Sequence, residues 1–475
     1  MERTRSGSSS PFVFVFVFVR RLALLLALAP LAVRAADPEL KFEKYQLPNG
    51  LTVILSEDHR LPQVVVNAWY HVGAANQAAG KSGFAHLFEH MMFSGSKHVQ
   101  PSPFAPLEQV GATGINGSTN FDRTNYFETV PSAELATALW VESDRMAFLL
   151  DTLDEKKLKI QRDVVSNERR QRYENVAGAM TYLRTCDLLF PTPHPFYQCV
   201  IGSVPEIQAA TPDDLKAFFR AYYGPQNTSL SLVGDFDPAV ARALIEKYFG
   251  PIPRGPSIAR PSLPQPPIVG VVKETVEDKV AELATVQLTF TGVKSYADDE
   301  PAGHLLATIL GGGRTSRLYK ALVFDKQAAS ETSANLTATS LGGWFSVDAQ
   351  VKAGHAVSEL LPLLQAELDA IKKDGPTAAE VERAQRKFIA GRVRAVERLG
   401  TRADLLNSYE TYLGDPGFLP RDLARYRAVT PEAVRAFAAK YLVDDKRLEL
   451  TTVPAVNQAA KQDERQPAKS PAGNQ

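Results

Sequence analysis

The sequence predicts an α+β protein built from two similar halves, and three observations carry that reading. Short β-branched runs precede amphipathic stretches in the order strand, strand, helix. Thr430-Pro431-Glu432 through Phe437 and Tyr441 matches Thr211-Pro212-Asp213 through Phe218 and Tyr222 at one fixed offset, with an apolar strand after each. Between the copies, 250–267 holds Pro251, Pro253, Pro256, Pro261, Pro264, Pro266 and Pro267, the composition of an extended, semi-rigid linker. The expected organisation is a leader over 1–35, a first domain over 37–249, the linker over 250–267, a second domain over 268–455 and a disordered polar tail over 456–475.

Taken in order, Arg3, Arg5, Arg20 and Arg21 precede an apolar run from Leu22 to Val33. Val33-Arg34-Ala35 then offers small residues for cleavage, as in a secretory signal peptide. The alternating Phe/Val tract at 12–19 reads as an extension of the basic leader. The alternative is a retained anchor, but the run after Arg21 is short for a membrane span. Export to the periplasm or beyond follows. In that compartment Cys186 and Cys199 can pair, though spacing alone does not give their separation. The 53 basic and 53 acidic residues exclude the basic face that a nucleic-acid partner requires.

Residues 45–55 read as two strands around Asn49-Gly50, and 63–72 as a third. Residues 111–130 are glycine-rich, then alternate as a strand pair. A helix over 133–150 places Leu135, Leu139, Met146 and Leu149 on one side. A second helix over 154–175 has Val164 and Val165 on its apolar side, with Glu168 projecting there and Arg169, Arg170 and Arg172 opposite. Thr211 caps a helix with Pro212 at its first position. Residues 228–234 form a strand, and 237–248 a helix. In the second half, 302–310 followed by three glycines parallels the earlier helix at 83–93, yet carries only His304.

That earlier helix is the centre of the chain's chemistry. His86 and His90 are four apart and Glu89 shares their face, inside an apolar setting of Leu87, Phe88, Met91 and Met92. Two imidazoles and a carboxylate there need a partner. Zinc would take the two nitrogens and leave Glu89 as a base, in the inverted H-x-x-E-H arrangement of zinc peptidases. Two core histidines and a capped Glu are the alternative. Glu168, a carboxylate on an apolar stripe, would serve as a third ligand or else as the partner of an Arg.

The chain resembles the pitrilysin-like (insulinase-type, M16) zinc metallopeptidases, in the smaller class of mitochondrial processing peptidase and its bacterial relatives. The likeness runs from about Tyr45 to Val453. Its motifs are Leu47-Pro48-Asn49-Gly50-Leu51-Thr52-Val53, the His86-Glu89-His90 helix, Asn116 to Tyr126, and Val164-Val165 with Glu168. His194-Pro195-Phe196 with Gly202, Tyr222-Tyr223 to Asp235 and Gly311 to Tyr319 complete them. The resemblance implies a duplicated metallohydrolase fold of the LuxS and processing-peptidase type, one chain forming half of a clam-shell. It implies one Zn2+ per chain on His86, His90 and Glu168, Glu89 as the catalytic base, and Asn116 on an edge strand that pairs with a peptide substrate.

Two departures bear on function. Seven residues before the ligand Glu the family often has a second Glu supporting the site; here it is Gln161. The family's substrate-holding Arg and Tyr in the second half are replaced by Val323, after Leu322, and by Ser330, while Arg317 and Tyr319 match a packing segment. These losses imply a heterodimer with a similar chain that supplies the Arg and Tyr, a homodimer being the alternative. The expected activity is endoproteolysis of short unfolded peptides. A non-catalytic peptide-binding or assembly subunit is the competing expectation.

Overall fold

A computed structural model describes residues 37–455; the expected leader and tail lie outside the described residues. Two sheets organise them. The first contains β1 (Glu43–Gln46), β2 (Thr52–Glu57), β3 (Gln63–Tyr70), β4 (Thr113–Thr119), β5 (Thr124–Pro131) and β6 (Thr228–Gly234), in the order β1-β2-β6-β3-β5-β4. The second contains β7 (Val271–Asp278), β8 (Thr285–Thr291), β9 (Ala329–Ala338), β10 (Gly343–Val351) and β11 (Arg447–Pro454), in the order β7-β11-β8-β10-β9. Omitting β1, the orders superpose strand for strand. The pairing sense agrees too: β2 with β6 and β7 with β11 are parallel, and the remaining neighbours are antiparallel. The duplication read from the Thr-Pro repeat is therefore a duplication of topology.

The principal helices are α1 (Phe84–Met91), α2 (Leu135–Phe148), α3 (Glu155–Arg169), α4 (Ala179–Leu189), α5 (Pro212–Tyr222) and α6 (Pro238–Phe249). In the second half they are α7 (Glu300–Gly311), α8 (Leu360–Asp374), α9 (Ala378–Ala395), α10 (Leu399–Leu413), α11 (Leu419–Arg427) and α12 (Pro431–Tyr441). Caps fix their starts. Asp154 accepts from Lys157 N at α3, and Thr211 and Thr430, each followed by Pro, cap α5 and α12. α3 does not run regularly to 175; it widens into a π turn over Arg170–Glu174.

Each half lends a helix to the other's sheet, which the alternation of the strands did not announce. β6 alternates polar and apolar residues over Ser229–Leu232 as a half-exposed strand would, yet β6 is buried throughout and β3 from Val64 on. The polar face is covered by α10. Asp404 Oδ1 accepts from Asn67 Nδ2 (2.8 Å), Trp69 Nε1 (3.2 Å) and Asn125 Nδ2 (3.2 Å). Asn407 Nδ2 donates to Asn67 O (3.0 Å) and Ser231 Oγ (2.9 Å). Polar residues of α10 thus satisfy those of a sheet face that would otherwise be costly to bury, while its Leu406 and Tyr409 join Ile54, Val65 and Val233 in one apolar cluster. Reciprocally, α4 lies on β11 and β7. Thr181 and Thr452 hydroxyls are 2.5 Å apart, Thr185 Oγ1 donates to Gln287 Oε1 (2.8 Å), and Arg184 pairs with Glu274 through Nε (2.6 Å) and Nη2 (2.8 Å).

The proline-rich segment is docked, not free. Arg260 Nη1 donates to His71 O (3.3 Å), Gln226 Nε2 to Pro256 O (3.0 Å), and Gln265 exchanges hydrogen bonds with Gly343 N and O. Cys186 and Cys199 form a disulfide, with a Cα separation of 5.5 Å. Among the described residues no helix is long and apolar enough to cross a membrane.

Candidate metal centre

α1 begins where glycine is required. Gly83 has φ 81°, and a Cβ there would lie 2.8 Å from Ile201 O and 2.9 Å from Gly202 Cα. Gly202, at φ 76°, meets Gly83 from the other side, where a Cβ would lie 2.4 Å from Gly83 Cα. Gln77 then ties the helix start to the 194–196 loop: it accepts from Ala85 N (3.1 Å) and donates to Pro195 O (3.2 Å). Ser82 N donates to Glu206 Oε2 at 2.6 Å, and Ser203 N to Ser82 Oγ at 3.0 Å. The His194-Pro195-Phe196 and Gly202 motifs are thus what anchors α1.

On the inner face of α1, His86 is 7% exposed and Glu89 8%. His90 Nε2 lies 3.1 Å from Glu168 Oε2, and His86 Nε2 lies 3.7 Å from Glu168 Oε1, beyond hydrogen-bond reach. Candidate ligand atoms of the three side chains all lie within 4.8 Å of one another. His86 Nδ1 is buried without a partner, so Nε2 is the nitrogen this ring offers to the cluster. Burial, and then the neighbouring His90, push the His86 imidazole down to about 4, leaving it neutral and free to donate its lone pair. Burial pushes the Glu168 carboxyl up, but the His90 hydrogen bond and the nearby His86, His90 and Arg172 outweigh it and hold it below its usual value. Two imidazoles and an ionised carboxylate are a donor set that would suit zinc.

Glu89 stands beside this cluster with a partner that the sequence reading did not name. Thr119 Oγ1 donates to Glu89 Oε2 at 2.6 Å, while Oε1 takes no hydrogen bond from another described residue. Burial raises the Glu89 carboxyl above its usual value, with the Thr119 bond opposing. Thr119 ends β4, so a strand pair read next to the helix was the available signal.

Asn116 is exposed on β4, the free edge of the first sheet, and its Oδ1 accepts from Gly117 N at 2.9 Å. Gln161 Nε2 donates to Ser94 Oγ at 3.1 Å; among the described residues it bonds none of His86, His90 and Glu168. Two sequence expectations on α3 are corrected. Val165 is buried, but Val164 is 41% exposed, because one turn of helix splits the two around the stripe edge. Arg172 does not face away from Glu168: one helical turn on, its Nη1 sits 2.8 Å from Glu168 Oε1. In the second half Arg317 holds Glu380 through Nε (2.7 Å) and Nη2 (2.8 Å), a packing role, and Ser330 Oγ donates to Gln350 Oε1 (2.8 Å).

Comparison with known proteins places the fold. The family profile "Insulinase (Peptidase family M16)" matches residues 52–183, and "Peptidase M16 inactive domain" matches 209–388. The chain belongs to the M16 peptidase family. Its sequence is 28% identical over 398 residues to the zinc protease PqqE of Helicobacter pylori, covering 82% of this chain and 87% of that one. The crystal structure of a protease from Helicobacter pylori has a TM-score of 0.81 at 26% identity, covering 88% of this chain and all of that one. The periplasmic protease PqqL of Escherichia coli shares the fold, with a TM-score of 0.72 at 19% identity, and this M16 chain spans 93% of itself but 52% of that structure.

Proposed function

We propose that the protein is an exported zinc-dependent endopeptidase that cuts short unfolded peptides. The observation that carries it is the convergence of His86, His90 and Glu168, from two helices, on one point beside Glu89. His86, His90 and Glu168 would hold one Zn2+ per chain, within the half at 37–249; the half at 268–455 contributes no ligand. When bound, the zinc supplies Lewis-acid polarisation of a carbonyl and lowers the pKa of a water in its open position toward about 7. Glu89 takes the proton of the attacking water and passes it to the leaving amine. Thr119 occupies Oε2 and leaves Oε1 to carry that proton. Burial, by raising the Glu89 carboxyl, brings its basicity closer to neutral pH. The free edge of β4 offers backbone groups to an extended peptide laid down as a further strand, with Asn116 reaching it at the bond to be cut. Gln161, through Ser94 at the end of α1, supports the helix at longer range.

Relatives named zinc proteases support this reading, as does the periplasmic description of PqqL for export. The test is zinc content, then cleavage of quenched peptides by wild type and Glu89→Gln. One zinc per chain and Glu89-dependent turnover are expected; zinc binding with no Glu89-dependent turnover, with or without a partner, overturns the proposal.

The second reading is a non-catalytic peptide-binding or assembly subunit. What favours it is the match of 209–388 to an inactive-domain profile, together with Val323 and Ser330 where the family's Arg and Tyr stand. The same residues support pairing. The chain spans about half of PqqL, so a second M16-type chain carrying the Arg and Tyr would complete the enclosure. A fully active homodimer purified alone would refute that heterodimer.

A further inference from the structure

We propose that the second half positions the general base: its residues Ser340 and Tyr412 clamp Asp122 at the tip of the β4–β5 hairpin, and through the tip they hold Thr119 against Glu89. This rests on the reading of Glu89 as base. Asp122 and Tyr412 are positioning residues in it, acting through Thr119.

The need for a clamp comes from β4 itself. It is the edge strand, bonded to β5 alone, with a register irregularity between Thr113 and Asn116 and glycines at 114 and 117. Such a strand is poorly fixed by its ladder. Yet its last residue, Thr119, must bring a hydroxyl to 2.6 Å from Glu89 Oε2.

The turn that follows is held from both sides. Asn120 Oδ1 accepts from Asp122 N (2.8 Å) and Arg123 N (2.9 Å), and Asn120 O from Ala74 N (3.2 Å). Gly73 slides under the turn; a Cβ there would lie 2.6 Å from Arg123 N. These contacts shape the turn within the first half.

The second half then fixes where the turn sits. The Asp122 carboxylate accepts from Ser340 N at 3.0 Å, from the Ser340 hydroxyl, and from Tyr412 OH at 3.0 Å. The Phe121 ring lies against Phe196 (centroids 4.6 Å) and, across the junction, Trp344 (5.8 Å). Asn125, at the start of β5, donates to Asp404 Oδ1 at 3.2 Å. Arg123 closes the set: Nη1 donates to Ser118 O (2.7 Å) and Ser118 Oγ (2.6 Å), with the guanidinium 5.0 Å over the Trp69 ring. Phe121 and Asp122 in the turn, and Asn125 at the start of β5, are therefore referenced to elements beyond the linker, beginning two residues from Thr119 and its Glu89 contact. Removing one Tyr412 hydroxyl leaves the carboxylate its Ser340 partners but frees the tip on the α10 side.

The test uses the full chain with zinc and, where pairing is needed, its partner chain. Tyr412→Phe is expected to lower kcat about tenfold, the worth of one hydrogen bond of about 1.4 kcal/mol, with KM and zinc content unchanged. Thr119→Val lowers kcat at least as much, and Thr119→Ser restores it. The double variant Thr119→Val/Tyr412→Phe is no slower than Thr119→Val alone, because both act on one contact. Hydrogen exchange over 113–125 is faster in Tyr412→Phe, a readout that needs no turnover. Wild-type kcat in Tyr412→Phe, an additive double variant, or unchanged exchange would each overturn the proposal. If Glu89→Gln turns over like wild type, the base assignment itself fails, and exchange alone then reports whether the clamp holds β4.

Discussion

The helices α1 and α7 occupy the same place over equivalent sheets and do opposite things with their inner faces. α1 turns His86 and Glu89 inward and meets the edge strand β4 through side chains, Thr119 to Glu89. α7 turns Leu305, Leu306, Ile309 and Leu310 inward and meets the edge strand β9 backbone to backbone. Gly311 makes that approach: a Cβ there would lie 2.1 Å from Ala334 N and 2.5 Å from Ser333 C. One frame thus yields a helix joined to its edge strand through a polar side-chain pair, and a helix that glycine lets close on its edge strand. His304, the lone histidine of α7, is left beside Glu300 at 3.7 Å with nothing to converge on.

Substitutions can break that contrast in order of size. Glu89→Gln should cost about 10³-fold in turnover while zinc stays bound, read by peptide cleavage alongside metal analysis. Glu168→Gln should weaken zinc by more than about 100-fold, read by competition with a chelator, whereas His304→Ala should leave both zinc content and turnover at wild-type levels. Gly311→Ala, which forces α7 off β9, should cost about 1–3 kcal/mol in a denaturation midpoint without altering zinc affinity. The smallest effect is pH-dependent. The Arg317 hydrogen bond, opposed by burial, holds the Glu380 carboxyl down at about 2 from its ordinary 4.5. A lowered folded-state value stabilises above the ordinary one, so this contribution is complete at neutral pH and lost as pH falls from 4.5 toward about 2. The melting difference between wild type and Glu380→Gln should shrink across that window.

Features with local causes could be read from the chain. The spacing of His86, Glu89 and His90 needs only a helix, the Thr-Pro pairs need only a cap, and the Asn49-Gly50 turn needs only two residues. What escaped depends on distant packing. Asn67 and Ser231 look like solvent-facing positions, and only the arrival of Asp404 and Asn407 from α10 buries them satisfied. Val164 looks like core by its neighbour, but burial stops one residue short of it. Thr119 has no signature of its own: the strand pair read near the helix points to the strand, and only the fold shows which hydroxyl reaches the carboxylate.

The exchange of α4 and α10 also sets an order of events at synthesis. A chain made from its N-terminus completes every strand of the first sheet by Gly234, long before Leu399–Leu413 exists. Until then the face bearing Ile54, Val65 and Val233 has only the segment of Leu40 and Phe42 from its own half packed with it. That nascent intermediate offers an open, partly apolar sheet surface to whatever holds polypeptides during synthesis, and it keeps the first half immature until Leu399–Leu413 has been made.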